Sequence, residues 1–118
     1  MTDATSSPKA AIEAYIEGTR TRDIGLLRSV FHDTAIMTGW LGPDLLHGGP
    51  DPFYGALEAN EVGADYSGEI TSMQVDDKIA TASITERNLL GMSFDNHFQI
   101  VQLDDGTWRI SAKLFRHY

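Results

Sequence analysis

The spacing of apolar residues changes once along the chain, and this change constrains the fold more than any other feature. In the first third, apolar residues recur every three or four positions, as on one face of a helix. From Tyr66 onward they alternate with polar residues, as in strands that are buried on one face. Helices followed by consecutive antiparallel strands predict an α+β fold. The 118 residues fit one domain, which we assign to residues 7–118 after a disordered lead-in over residues 1–6.

Three capping signals mark the starts of three helices. Ser7 followed by Pro8 predicts an N-cap and the first residue of the first helix. Asp23 predicts the N-cap of a second helix, which a short link joins to the first. Asp51 followed by Pro52 repeats the signal and predicts a third helix. The helices therefore occupy the first half of the chain.

The strand signals are interrupted by breaks in the pattern. Residues 35–40 (AIMTGW) predict a first strand, and residues 41–52 predict a loop because they contain three Gly and three Pro. The apolar positions change phase between Ile70 and Met73, which predicts a β-bulge. Gly91 predicts a break before the next strand.

The last two predicted strands form a hairpin whose register can be predicted. A three-residue turn over 104–106 (DDG) pairs Gln102 with Trp108. This register places seven apolar residues on one face: Phe94, Phe98, Ile100, Trp108, Ile110, Ala112 and Leu114. Six polar residues share the other face: Asp95, His97, Gln99, Arg109, Ser111 and Lys113. We expect the apolar face to be core and the polar face to be outer or dimer-facing.

Composition excludes several classes of function. The chain has no Cys, which excludes disulfides, thiolate metal sites and a cysteine nucleophile. A net charge of −8 disfavours nucleic acid as a partner. The four His lack the spacing of a metal site, and we predict neither a metal nor a cofactor. No apolar segment predicts a signal peptide or a membrane helix, so we expect a cytoplasmic protein with no membrane partner.

Two segments resemble a known superfamily. Residues 15–35 (YIEGTRTRDIGLLRSVFHDTA) and 94–115 (FDNHFQIVQLDDGTWRISAKLF) are similar to the start and the end of nuclear transport factor 2-like (NTF2-like) proteins. The resemblance covers residues 8–116 and is greatest to the putative lumazine-binding or SnoaL-like branch. It implies a cone-shaped (cystatin-like) fold with three N-terminal helices on a strongly curved antiparallel sheet, and a homodimer. It does not decide the function, because this fold carries isomerases, dehydratases, epoxide hydrolases and binding proteins.

Ketosteroid isomerases are similar over the same window, and they show what this chain lacks. Tyr15 falls where those enzymes keep an oxyanion-hole tyrosine. Their general base, an Asp, corresponds to Gly39, and residues 35–40 contain no carboxylate. Proton abstraction next to a carbonyl group needs such a base within hydrogen-bond reach. We therefore predict no ketosteroid isomerisation.

Three hypotheses for function stay open. The first is binding of a small apolar or aromatic molecule in a pocket with apolar walls and a few polar groups. Its candidate residues are Tyr15, Met37, Trp40, Phe53, Tyr54, Met92, Phe94 and Asn96. The second is a cofactor-free, dehydratase-like lyase or isomerase that uses Asp95 and His97 with Tyr15. The third is a structural dimer domain without a ligand. The direction in which Asp95 and His97 point discriminates the first two hypotheses.

Overall fold

The structure is a computed structural model that describes residues 3–118. Its elements are α1 (Pro8–Thr21), α2 (Ile24–Val30), β1 (Phe31–Leu41), β2 (Asp44–Gly48), α3 (Asp51–Ala59), β3 (Ser67–Asp76), β4 (Ile79–Leu89), β5 (Met92–Gln102) and β6 (Trp108–His117). The strands form one sheet in the order β2-β1-β6-β5-β4-β3. Neighbours are antiparallel except β1 and β6, which run parallel. The α+β prediction is confirmed, although the sheet is mixed and only two helices precede its first strand.

The predicted capping signals act at the starts of the first two helices. Ser7 Oγ accepts a hydrogen bond from the Ala10 amide at 3.0 Å, and Pro8 opens α1. Asp23 Oδ1 accepts one from the Leu26 amide at 3.1 Å and opens α2. Each cap satisfies an amide that has no partner within its helix. Across residues 3–118, no helix has both the length and the apolar character needed to cross a bilayer.

The N-terminal segment has contacts of its own. Residues 1–2 of the predicted lead-in lie outside the described residues. Thr5 is buried, and its carbonyl accepts a hydrogen bond of 2.8 Å from the Trp108 amide. Thr5 therefore packs against the start of β6.

The predicted loop over residues 41–52 is wrong in its central part, which forms β2. Leu45 pairs with Trp40 and Leu46 with Gly39, so β1 and β2 make a hairpin at the edge of the sheet. Gly42 lies in the turn between them with a positive φ of 60°. The Gly and Pro residues flank a five-residue strand, and their density over the whole segment conceals it.

The C-terminal hairpin follows the predicted register only near its turn. Gln102 pairs with Trp108 and Ile100 with Ile110, as expected, but a bulge then pairs Gln99 with Ala112. One extra residue in a strand turns every later side chain to the opposite face. Five residues of the predicted apolar face are buried: Phe94, Phe98, Ile100, Trp108 and Ile110.

Beyond this bulge, β6 is inverted relative to the prediction. Lys113 pairs with Phe98 rather than with His97, and it is buried at 6% exposure. Leu114 takes the outer position and is 55% exposed. The assignment of Lys113 to the outer polar face and of Leu114 to the core was therefore wrong. A second bulge, between Ile70 and Ser72 in β3, was predicted and is confirmed.

Candidate ligand-binding site

A cavity of about 270 Å³ lies between α3, the β1–β2 hairpin and the inner face of the sheet. Its lining residues are Met37, Leu41, Leu46, His47, Gly48, Gly49, Pro52, Phe53, Ala56, Leu57, Leu89, Leu90, Met92, Phe94, Lys113 and Phe115. Apart from His47 and Lys113, all of them are apolar or glycine. Walls of this kind favour an apolar ligand.

Lys113 brings an amino group to this apolar wall. The bulge in β6 turns its side chain inward, and the Nζ atom lies 4.5 Å from the centre of the Phe53 ring and 5.4 Å from that of Phe115. Nζ donates a hydrogen bond of 2.7 Å to the hydroxyl of Tyr15. Aromatic faces stabilise a nearby ammonium ion through their quadrupoles, which offsets part of the cost of burial.

Behind Lys113 lies a fully buried carboxylate, Glu86 on β4. The hydroxyl of Tyr15 donates to Glu86 Oε1 at 3.1 Å, and that of Tyr66 donates to Oε2 at 2.6 Å. Asn96 Nδ2 also donates to Oε1. Three donors therefore satisfy the carboxylate away from water, and Tyr15 links it to Lys113.

Burial shifts the pKa values of this network. Burial lowers the pKa of Lys113 to about 8, against the pull of the Glu86 charge, which raises it. Burial also raises the pKa of Tyr15 and of Tyr66 well above the usual range, and the charge of Glu86 acts in the same direction. Both tyrosines therefore keep their protons at neutral pH and remain donors to Glu86.

Asn96 contributes one further polar atom. Its side chain is fully buried, and within residues 3–118 its Oδ1 atom has no hydrogen-bond partner. Buried acceptors of this kind are rare, because an unmet hydrogen bond costs stability. The interior behind the cavity is therefore polar and incompletely satisfied.

Half of the residues predicted to bind a ligand line the cavity: Met37, Phe53, Met92 and Phe94. Tyr15 and Asn96 lie behind it, in the network around Glu86. Tyr54 is buried elsewhere, 4.7 Å beneath the guanidinium of Arg28. Trp40 is 52% exposed, because it is an even-numbered position of β1 and points to the outer face, opposite to Met37.

Asp95 and His97 lie on the outer face of the sheet, away from Tyr15. Asp95 Oδ2 accepts a hydrogen bond from Arg116 at 3.0 Å, and Oδ1 is 3.3 Å from the hydroxyl of Tyr118. His97 is exposed, and its Nδ1 is 2.8 Å from Ser83 Oγ. Alternate residues of β5 point to opposite faces, and Tyr15 packs on the inner one. The acid–base set of Asp95, His97 and Tyr15 is therefore not assembled.

Comparison with known proteins identifies the family. The family described as "Putative lumazine-binding" matches residues 4–116. The chain belongs to this family. A search of curated proteins finds no match to this chain.

Solved structures agree on the fold of this family member. It superposes on an NTF2-like protein of unknown function from Silicibacter pomeroyi with a TM-score of 0.83 and 26% identity, over 93% of this chain and 92% of that one. A second NTF2-like protein of unknown function, from Shewanella baltica, gives 0.82 and 18%, over 91% and 87%. A ketosteroid isomerase-like protein from Erwinia carotovora atroseptica gives 0.70 and 19%, over 99% and 98%. The predicted NTF2-like resemblance is confirmed.

The structure leaves no room for a side chain at Gly39, the position that we predicted to correspond to the base of ketosteroid isomerases. A Cβ atom built on Gly39 would lie 2.0 Å from the carbonyl oxygen of Phe115 and 2.6 Å from its ring. Real Cβ atoms do not approach backbone this closely. No side chain, acidic or otherwise, fits at this position without moving β6.

Glu86 and Lys113 were missed in the sequence, for different reasons. Glu86 continues the alternation of Ala80, Ala82 and Ile84. The sequence pattern could therefore have predicted a carboxylate on the buried face of β4. Lys113 follows a bulge that has no turn residue or phase break in the sequence to reveal it. Only the observed register places its amino group inside.

Proposed function

We propose that this protein binds a small, largely apolar or aromatic molecule whose acceptor oxygen lies against Lys113. The observation that carries this proposal is the charge pattern of the cavity. Its lining contains one lysine and, among the described residues, no Asp, Glu or Arg. An apolar chamber with one cationic donor fits a ligand with an apolar body and one carboxylate or carbonyl group.

The hydrogen bonding of Lys113 supports this orientation of the ligand. An ammonium group has three N–H donors, and the described residues give Nζ one hydrogen-bond acceptor, the hydroxyl of Tyr15. The other two donors have no protein partner within residues 3–118. A ligand oxygen in the cavity would accept from them and would compensate the buried charge.

The size of the cavity bounds the ligand. A volume of about 270 Å³ is near the lower end of small-molecule sites, which are roughly 300–1,000 Å³. This volume favours a ligand of one or two rings. The family description also supports a role in small-molecule binding.

Isothermal titration with 2-naphthoate tests the proposal. We expect micromolar binding to the native protein and a loss of at least about tenfold in Ala56→Phe, because the new ring occupies the cavity that Ala56 lines. Ala59→Phe is the matched control, since Ala59 is exposed on the same helix outside the lining. Failure of the native protein to bind, or equal binding to Ala56→Phe, contradicts the proposal.

A homodimer through the outer face of the sheet is the second part of the proposal. Trp40 on β1, its pairing partner Leu45 on β2 and Leu114 on β6 present exposed apolar side chains there. Lys113 does not contribute, because it points inward. Sedimentation at micromolar concentration should show a dimer that Leu114→Glu weakens and that Val75→Glu, on the distant β3, leaves intact. A monomeric native protein contradicts the dimer.

The cytoplasmic location stays a prediction.

A further inference from the structure

We infer that Lys113 is a reactive amine that forms a covalent imine with apolar aldehydes or ketones in the cavity. This inference rests on the proposed function, since the carbonyl compound must first enter the same apolar cavity. It goes further because it makes Lys113 a nucleophile, and not only a donor of hydrogen bonds.

The position of the amino group carries the inference. Nζ lies at the wall of a cavity, within 5.4 Å of the centres of three aromatic rings, those of Phe53, Tyr15 and Phe115. Desolvation by burial favours the neutral amine, which is the nucleophilic form. The cavity walls hold a flat carbonyl compound beside the amine and exclude the water that would hydrolyse the imine.

The protonation state of the amine also supports its reactivity. With the pKa of Lys113 at about 8, roughly a tenth of the molecules carry the free amine at pH 7. An exposed lysine, with a pKa near 10.4, has less than roughly a thousandth in that form. Lys113 should therefore react faster than an exposed lysine at neutral pH.

The Tyr15–Glu86 pair provides a route for the proton. Lys113 donates to the hydroxyl of Tyr15, which donates to Glu86 Oε1. The proton of the ammonium passes to the Tyr15 oxygen while the proton of Tyr15 passes to Glu86. This transfer leaves a neutral amine, an intact phenol and a protonated carboxyl group.

The bond changes then balance. The amine lone pair forms a C–N bond with the carbonyl carbon, the C=O π electrons move to oxygen, and a proton moves from nitrogen to that oxygen. Glu86 returns its proton through Tyr15 to the resulting hydroxyl group, which leaves as water while the C=N bond forms. The net change converts ammonium and carbonyl into iminium and water, and Glu86 ends as a carboxylate.

Trapping with 2-naphthaldehyde and sodium cyanoborohydride tests the inference. The reagent delivers hydride to the iminium carbon and leaves a stable secondary amine, which peptide mass spectrometry locates. The chain offers internal controls, because its three lysines are Lys9, Lys78 and Lys113, and the other two lie in exposed positions. We expect adduct at Lys113 at least about ten times faster than at Lys9 or Lys78. 2-Naphthalenemethanol, which has no carbonyl group, should slow the labelling of Lys113 alone.

Two variants sharpen the result. Lys113→Arg should lose the adduct, because a guanidinium group stays protonated at neutral pH and is not a nucleophile. Tyr15→Phe should slow adduct formation about tenfold or more by removing the proton route, whereas Arg116→Met, on the outer face, should keep the native rate. If Lys113→Arg does not fold, the peptide map of the native protein still decides.

The outcomes separate this inference from the proposed function. Equal labelling of the three lysines, or labelling outside Lys113 only, in a protein that binds 2-naphthoate overturns the imine and leaves the binding function in place. Absence of both 2-naphthoate binding and Lys113 labelling overturns both.

Discussion

The two faces of the sheet carry polar clusters with the same chemical parts in opposite surroundings. Each cluster contains a carboxylate, a tyrosine and a cation. The inner cluster is Glu86, Tyr15 and Lys113, and the outer cluster is Asp95, Tyr118 and Arg116. The sequence directs attention to the outer one, through Asp95 and His97. The structure makes the inner one the candidate site, because it adjoins the cavity.

The difference between the clusters shows that burial, more than residue type, gives a polar group its role. In the outer cluster the Arg116 side chain is 62% exposed and that of Asp95 is 30% exposed, so water screens their attraction. In the inner cluster the side chains of Glu86, Tyr15 and Lys113 are buried, so each polar group depends on its protein partners. In the inner cluster, burial lowers the pKa of Lys113 and raises that of Tyr15, and such shifts make groups useful for chemistry.

The largest expected contrast is in the unfolding free energy that is lost when the carboxylate of each cluster is removed. Glu86→Ala should cost about 3–5 kcal/mol of unfolding free energy, because it leaves Lys113 buried without a nearby countercharge. Asp95→Ala should cost less than about 1 kcal/mol. Urea titrations of the two variants measure both values. Similar losses in the two would show that the faces do not differ as described.

A smaller contrast concerns how the free energy of unfolding depends on pH. The pKa of Lys113 is about 8 in the folded protein, below its ordinary value of 10.5, so the unfolded chain binds more protons between these values. Stability should therefore rise with pH from about 8 to 10, by about 2 kcal/mol. Above pH 10 it should fall, because Tyr15 and Tyr66 keep protons that the unfolded chain loses.

Matched variants assign this pH dependence to its source. Lys113→Met should remove the rise between pH 8 and 10, since no buried amine remains to lose its proton. Arg116→Met should keep it, because Arg116 belongs to the outer cluster. Denaturant titrations at half-unit steps of pH measure the slopes. A rise that persists in Lys113→Met would place its source elsewhere.

The sequence predicted the parts of this fold that depend on local patterns. Capping at Ser7 and Asp23 and the alternation that buries Phe98 and Trp108 depend on neighbouring residues alone, and all are confirmed. β2 was missed because its pairing with β1 is a tertiary contact that its flanking Gly and Pro conceal.

The candidate site was less predictable because it depends on one register shift. The bulge in β6, opposite Gln99 and Ile100 of β5, exchanges Leu114 for Lys113 on the inner face, and no residue type in β6 signals it. The cavity walls were partly predictable, since large apolar residues such as Phe53 and Met92 recur on the inner elements. Their combination with an amine depends on three-dimensional packing, which spacing does not encode.

The central claim is that Lys113 recognises an oxygen of an apolar ligand inside the cavity, and paired titration calorimetry tests it most directly. The native protein, Lys113→Met and Arg116→Met are titrated with 2-naphthoate and with 2-naphthalenemethanol. A charge-assisted hydrogen bond is worth about 1.5–3 kcal/mol. Lys113→Met should therefore weaken the binding of 2-naphthoate by at least about tenfold. The same variant should change the affinity for 2-naphthalenemethanol by no more than about threefold. Arg116→Met should change the affinity for neither compound. Equal affinity of the native protein and Lys113→Met for 2-naphthoate would contradict the account.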